Sequence, residues 1–249
     1  MKQRVVCLIS GGIDSPVAAW LMLKKGYEIV ALFAYSELDE ASLKRFLDVI
    51  RILNRYTKKK IRTFIYKPKY DLLSFDRYVV RHAYILERRI MLRVANELAR
   101  MVNAKAIITG DSLAQVSSQT LENLFVIDKA SELPVIRPLI GMNKDEIIKL
   151  AKEIGTYEVS IRKVKQECGS LSVCIKKPVT KARLEKIERI EENILSEYPE
   201  MLETLDFTHG KVEIRKGRTY FLAKVTLFQP EDHDLLEICL LYTSPSPRD

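Results

Sequence analysis

Ser10, Gly11, Gly12, Ile13, Asp14 and Ser15 pack two glycines, two hydroxyls and a carboxylate between an apolar run and a helix-forming stretch. These residue types suit a cradle for a phosphate. Glycines let backbone N–H groups approach an anion closely and turn sharply. The N-terminus of the following helix adds partial positive charge. The Ser10 and Ser15 hydroxyls can donate to phosphate oxygens. Asp14 repels phosphate directly and suits Mg²⁺, which neutralises a polyphosphate. The loop lacks the Gly-Lys-Ser/Thr ending of a P-loop and does not fit G-x-G-x-x-G. A plain turn accounts for the glycines but leaves both serines and the aspartate unexplained.

Other residues have the types for related chemistry. Arg88, in "ERRIMLR", offers a forked guanidinium to a polyphosphate, with Arg89 or Arg93 as substitutes. A solvated basic face would read the same way. Gly110 closes an apolar run and is followed by the polar stretch "GDSLAQVSSQT", which contains Gln119. Asp111 there either assists Mg²⁺ or caps a helix. Lys144 opens a helix and, on sequence alone, is an ordinary exposed lysine. Cys168 and Cys174 flank "GSLSV" in a polar segment near Lys163, Lys165, Lys176 and Lys177, cations that favour the thiolate. Two cysteines fall short of the three or four ligands a metal site needs. Cys7 and Cys239 sit in apolar runs and read as buried and inert.

The elements that must position these residues alternate regularly. Strands are predicted at 4–9, 28–35, 61–66, 104–110 and 133–140, the last edged by prolines. Helices are predicted at 16–25, 39–56 and 76–102, and after Asn143. Ser15 is the predicted cap of the first, with Pro16 at its first position and Gly26 beyond its end. Asn143 and Glu146 form a capping box, with Gly155 after that helix. This alternation specifies an α/β fold, a doubly wound, mostly parallel five-stranded sheet with helices on both faces. Its ligands belong at the carboxyl ends of the strands, where Ser10–Ser15 lies.

The 249 residues, 47% hydrophobic, suffice for one large domain of residues 1–175. Residues 176–240 read as an appendage of one amphipathic helix and a hairpin turning at Lys216 and Gly217. Residues 241–249 read as a non-native tail. No apolar run reaches the length of a membrane span, and the short run at 5–9 is no signal peptide, which predicts a cytoplasmic chain without a membrane partner. The formal charge of +8 is compatible with a nucleotide or RNA partner.

The SGGIDS loop resembles the PP-loop of the ATP-pyrophosphatase superfamily, whose members cleave ATP between the α- and β-phosphates and adenylate a substrate. "SGGIDSPVAAWLMLKKG", "RRIMLR", "ITGDSLAQVSSQTLENL", "PVIRPLIGMNKDEIIKLAKEIGTYEVSIR" and "CGSLSV" together resemble the tRNA 4-thiouridine synthetase, or thiamine-biosynthesis sulfurtransferase, family. The resemblance implies ATP and Mg²⁺ as cofactors and 4-thiouridine formation in tRNA as the activity. It places ATP along Leu8, Ile9 and Ser10–Ser15, with adenine near Phe33 and Ala34. This chain has "FAYSEL" where the family often has His-Phe and a proline pair, and Phe33 reads equally as a core aromatic. It matches Arg88, Gly110 and Gln119 to nucleotide contacts and Lys144 to the lysine needed for ATP chemistry. It matches Cys168 to a cysteine of the family's catalytic domain, read here as the persulfide carrier, and implies a cysteine desulfurase or other persulfide donor as partner. Family members with a rhodanese domain keep a second cysteine there, and in this chain Cys174 is the candidate resolving thiol. Family members carry a ferredoxin-like region and a THUMP RNA-binding domain before the loop. Here the first strand starts at residue 4, which leaves a separate THUMP-type chain, a fragment or a different substrate open. The part after residue 175 reads as an appendage or a dimer element, so a homodimer is a further expectation from the sequence. Adenylation of a thiazole precursor or sulfur-carrier protein, and non-catalytic ATP or AMP sensing, stand as alternative activities.

Overall fold

A computed structural model of the chain describes residues 3–34, 40–68, 72, 75–113, 119–162, 175, 178–197, 206–207, 210–211 and 223–228. Five parallel strands form the centre of the sheet: β1 (Arg4–Leu8), β2 (Glu28–Ala34), β3 (Arg62–Pro68), β4 (Ile107–Ile108) and β5 (Val135–Ile136), in the order β5-β4-β1-β2-β3. The predicted α/β fold with its five-stranded parallel sheet is therefore present. β4 and β5 are shorter than predicted, with two residues each in the ladder. The apolar residues around β4 extend beyond the ladder, so hydropathy overstates the paired length.

Beyond β3 the sheet continues with β8 (Ala223–Phe228), antiparallel to β3. β8 also borders β6 (Asp206–Phe207), which pairs antiparallel with β7 (Gly210–Lys211). The predicted hairpin turn at Lys216 and Gly217 lies outside the described residues, as do Cys168, Cys174 and Cys239.

The period-two alternation of β1 sorts its side chains between two cores. Val6 and Leu8 pack with α3 (Arg77–Val102), α4 (Leu121–Asp128) and α7 (Leu184–Glu197). Val5, Cys7 and Ile9 pack with α1 (Asp14–Lys24), α2 (Glu40–Leu53) and α5 (Lys144–Ile154). A strand buried on both faces must be apolar at every position, which is why "VVCLI" shows no alternation. A short 3₁₀ turn (Asn54–Tyr56) and α6 (Tyr157–Ser160) complete the helices of the described residues. None of these helices is long and apolar enough to cross a membrane.

The helix ends follow the sequence closely in three places. Asp76 caps α3 by accepting from the Val79 amide. Asn143 and Glu146 make the predicted capping box, and Gly155 closes α5 in the left-handed region at φ 82°. Gly26 follows α1 at φ 87°. The start of α1 departs from prediction: the helix begins at Asp14, and Ser15 does not cap it. The Ser15 hydroxyl instead folds back to accept from the Ser10 amide at 2.8 Å.

Candidate functional site

The strand order reverses at β1, because β2 lies on one side of it and β4 on the other. Doubly wound sheets open a crevice at such a switch point, beyond the carboxyl ends of the strands. A cavity of about 300 Å³ lies there. Leu8, Ile9, Ser10, Gly12, Ile13, Asp14 and Ser15 line one side of it, and Phe33 and Ala34 come from the end of β2. Glu87, Arg88 and Met91 reach it from α3, and Gly110, Asp111 and Gln119 from the segment after β4.

The loop is held from within and from below. Ser10 Oγ lies 3.1 Å from Ser15 Oγ and accepts from the Gly12 amide at 3.2 Å. Ser160 donates to the Gly12 carbonyl at 3.1 Å. Neither Gly11 nor Gly12 has positive φ. The chain bends at Gly11–Ile13 as expected but without a left-handed residue, and Gly11 is required for space. A Cβ on Gly11 would lie 2.8 Å from Arg45 Cβ. Gly11 is buried against α2 and does not line the cavity, unlike its neighbour. Gly110 serves the same purpose from the other side, since its Cβ would sit 2.6 Å from both Cα and N of Ser15. Strand β4 can therefore approach the first turn of α1 only through a glycine.

Charge is arranged around two carboxylates. Asp14 Oδ1 accepts from Lys144 Nζ at 2.6 Å. Both residues stand in the first turn of their helices, so the pair bridges the positive ends of α1 and α5. Asp111 is buried and accepts from Thr109 at 2.7 Å and from Arg137 at 3.3 Å. Arg88 lies 3.5 Å from its other oxygen. Burial alone would raise the Asp111 pKa, but Arg88, Thr109, Arg137 and Gln119 together hold it below its usual value. Asp111 caps no helix; Thr120 caps α4. Glu87 goes the other way: burial raises its pKa, and only Arg88 opposes this. Gln119 Oε1 is buried and has no hydrogen-bond partner among the described residues. An orphaned acceptor beside a cavity fits a ligand that brings a donor.

Residues 1–195 match the thiamine biosynthesis protein (ThiI) family. The chain belongs to that family. It is 39% identical over 193 residues to a probable tRNA sulfurtransferase of Caldanaerobacter subterraneus subsp. tengcongensis, covering 77% of this chain and 50% of that one. It is 40% identical over 197 residues to a probable tRNA sulfurtransferase of Methanocaldococcus jannaschii, covering 78% and 50%. Among solved structures it is similar to a 4-thiouridine synthetase–RNA complex with bound ATP, with a TM-score of 0.67 and 35% identity over 77% of this chain and 50% of that one. The chain spans about half the length of the curated relatives it matches.

Against this ThiI frame, the cavity brings together eleven of the residues singled out from sequence: Leu8, Ile9, Ser10, Gly12, Asp14, Ser15, Phe33, Ala34, Arg88, Gly110 and Gln119. Lys144 joins them through Asp14. Phe33 takes both readings at once: it stacks on Phe46 at 4.4 Å within the core and also borders the cavity. Arg89 and Arg93 are not substitutes for Arg88, because both are engaged by Glu191 on α7. Sequence reasoning missed Glu87 and Met91. Met91 lies three residues after Arg88 and four after Glu87, spacings that share a helix face, so the helical period carried the signal. Arg137 and Arg45 gave no local signal.

Among the described residues no cluster of three or more potential metal ligands exists. Mg²⁺ rarely needs one, since it binds through one or two carboxylates plus substrate phosphates. Of the three carboxylates that line the cavity, Asp111 is taken up by Arg88 and Arg137 and Glu87 is pushed toward its neutral form by burial, so Asp14 is the one that fits an ion arriving with a nucleotide, and the set does not fit a resident metal.

Proposed function

We propose that this chain carries the adenylating part of a tRNA sulfurtransferase that makes 4-thiouridine. The observation that supports it best is the cavity at the β1 switch point, where the Ser10–Ser15 loop faces Arg88 and the Asp14–Lys144 pair. A related 4-thiouridine synthetase was solved with RNA and ATP.

ATP occupies the cavity with adenine toward Phe33 and Ala34 and its phosphates along the loop amides. Arg88 suits the polyphosphate by forked donation. Asp14 would hold Mg²⁺, which when bound neutralises phosphate charge. Uracil O4 attacks the α-phosphorus, the bond to the β-phosphate breaks, and pyrophosphate leaves. Lys144 stabilises the charge that develops at the α-phosphate. Adenylation turns O4 into a leaving group.

Cys168 carries the sulfur. A cysteine desulfurase or other persulfide donor loads it, the terminal sulfur attacks C4, and AMP departs. The Cys174 thiolate then attacks Cys168 Sγ, forming a disulfide and freeing 4-thiouridine, and a thiol reductant resets the pair.

The test is nucleoside mass spectrometry of tRNA incubated with ATP and a persulfide donor. Wild type yields 4-thiouridine, and Cys168→Ala yields none while still binding ATP. Undiminished thiolation by Cys168→Ala would remove the relay. Failure of unmodified tRNA to stimulate pyrophosphate release would remove tRNA as the substrate.

A further inference from the structure

A second cavity, of about 330 Å³, opens between the start of α3 and the segment leading into α7. Arg81, Lys181, Arg183 and Lys186 line it, together with Tyr78 and His82, and no acidic residue does among the described residues. The Lys181, Arg183 and Lys186 side chains are exposed and make no ion pair among the described residues. Lys181, Arg183 and Lys186 converging in this way repel one another, and an anion from outside relieves that repulsion.

The segment bearing these cations is fixed in place. The Val179 amide donates to the Arg81 carbonyl at 3.2 Å. Asn123 donates to the Val179 carbonyl and accepts from the Ala182 amide, each at 2.9 Å. Thr120 donates to the Thr180 carbonyl at 2.7 Å. The first turns of α3 and α7 both open here, and their positive ends add to the side-chain charge. Burial and the charges of Arg81 and Lys186 push the His82 pKa below its usual value, which agrees with a strongly positive surround.

Three features favour a nucleic-acid backbone over a small nucleotide. The cations sit on long exposed stems and surround no glycine loop. Tyr78 is 50% exposed and tilts against the His82 ring at 4.8 Å, leaving an aromatic surface beside the cations. Seven residues of helix separate Arg81 from Arg88, about 10 Å along the axis. That distance equals roughly three stacked nucleotides at 3.4 Å each, so one strand can reach from this pocket toward the first cavity.

Resting on the reading above that RNA is the substrate, we propose that this basic pocket is an RNA contact of the catalytic domain. Arg81, Lys181, Arg183 and Lys186 hold two or three backbone phosphates, and Tyr78 stacks a base. It would orient the strand whose target base enters the first cavity.

The experiment measures binding of an unmodified tRNA transcript to the full chain as salt is varied, with ATP binding and tRNA-stimulated pyrophosphate release followed in parallel. The K181A/R183A/K186A variant is expected to bind tRNA about a hundredfold more weakly at 0.1 M salt, and its log–log salt slope to flatten by about 2, at roughly 0.7–0.9 per phosphate. Its ATP affinity should be unchanged, which also reports that it folds. The charge-preserving K181R/R183K/K186R variant should restore binding. Tyr78→Ala should cost about tenfold on single-stranded RNA. Equal tRNA affinity and slope in wild type and the triple alanine variant would overturn the pocket while leaving the proposed reaction standing. Competition by millimolar inorganic pyrophosphate at this pocket, without any loss of tRNA binding, would also overturn it. If wild type bound no tRNA, the pocket and the proposed substrate would both be overturned.

Discussion

Lys144 and Asp14 lie 130 positions apart in the chain, yet they meet at 2.6 Å beside the cavity. The pair is partly solvated, with 45% and 27% of the two side chains exposed. Exposed pairs of this kind contribute about 0–1 kcal/mol to stability, so stability gives little reason for its geometry. A fixed ammonium at two helix N-termini suits charge that develops on phosphate. Lys144→Ala should therefore lower tRNA-stimulated pyrophosphate release by roughly 10²–10³-fold. Its unfolding free energy should change by less than ~1 kcal/mol. Steady-state pyrophosphate release and urea unfolding check both halves. A variant that lost stability and activity in proportion would show a structural lysine instead.

Gly110 makes a separate prediction about space. A methyl group there would enter the 2.6 Å gap to the Ser15 backbone and push β4 away from the first turn of α1. Overpacking of this kind costs typically 1–3 kcal/mol. Gly110→Ala should lower the urea midpoint by a corresponding amount and weaken ATP binding more than tenfold, because the displaced backbone carries Asp14 and Ser15. Gly141→Ala is the control: its Cβ would meet nothing within 4 Å, and both measurements should stay at wild-type values. Calorimetric ATP titration of the two variants decides the matter. Equal affinities would mean that the approach of β4 to α1 does not shape the cavity.

What the sequence revealed was what is local. The doubly buried β1, the loop after it and the capping box at Asn143 each depend on neighbours within a few positions, so residue type and spacing suffice. The lengths of β4 and β5 depend on which edge residues find partners, and two-residue ladders cannot be read from apolar runs. Arg88, Arg89 and Arg93 look equivalent in "ERRIMLR". Only the packing of α7 separates them, sending Arg88 to the cavity and the other two to a carboxylate about a hundred positions away. The contact of Gly11 with Arg45 is equally non-local. The chemistry-bearing loop was legible because strand, glycines and helix start are contiguous; the network that rigidifies it was not.

Cys7 offers a test of burial. It is 1% exposed in the centre of β1, and loss of solvation pushes its thiol pKa far above the ordinary range. Thiolate is the reactive form, so Cys7 should be inert in the native chain. Treatment with an aromatic disulfide reagent followed by peptide mapping should leave the Cys7 peptide unmodified until denaturant is added. Rapid native labelling of that peptide would mean that β1 opens, contrary to a strand packed on both faces.

Glu191 supplies the prediction with the largest expected effect on stability. Its carboxylate accepts from Arg89 at 2.8 Å twice, and from Arg93 at 2.9 and 2.7 Å. Arg89 is also tied to the Val126 carbonyl at 2.6 Å, so the cluster fastens α7 to α3 and α4. Ile187, Ile190 and Ile194 bury the same face of α7 around it. Desolvation would raise the Glu191 pKa, but hydrogen bonds and charge from Arg89 and Arg93 outweigh it and hold the group below its ordinary 4.5. A carboxylate with a depressed folded-state pKa stabilises fully above the unfolded value and loses that contribution as pH falls through the folded value. Glu191→Gln removes the carboxylate that faces the deeply buried Arg89 guanidinium and should cost about 3–5 kcal/mol near neutral pH. The gap between wild type and variant should narrow as pH falls from 6 to 3, because protonated Glu191 has also lost its charge. Taking the difference cancels the other titrating groups. Urea unfolding of both chains across that range checks it, and a gap independent of pH would show that packing, not charge, holds α7. Because α7 continues the segment pinned by Thr120 and Asn123, immediately beyond Gln119, the same variant should weaken ATP binding as the clamp loosens.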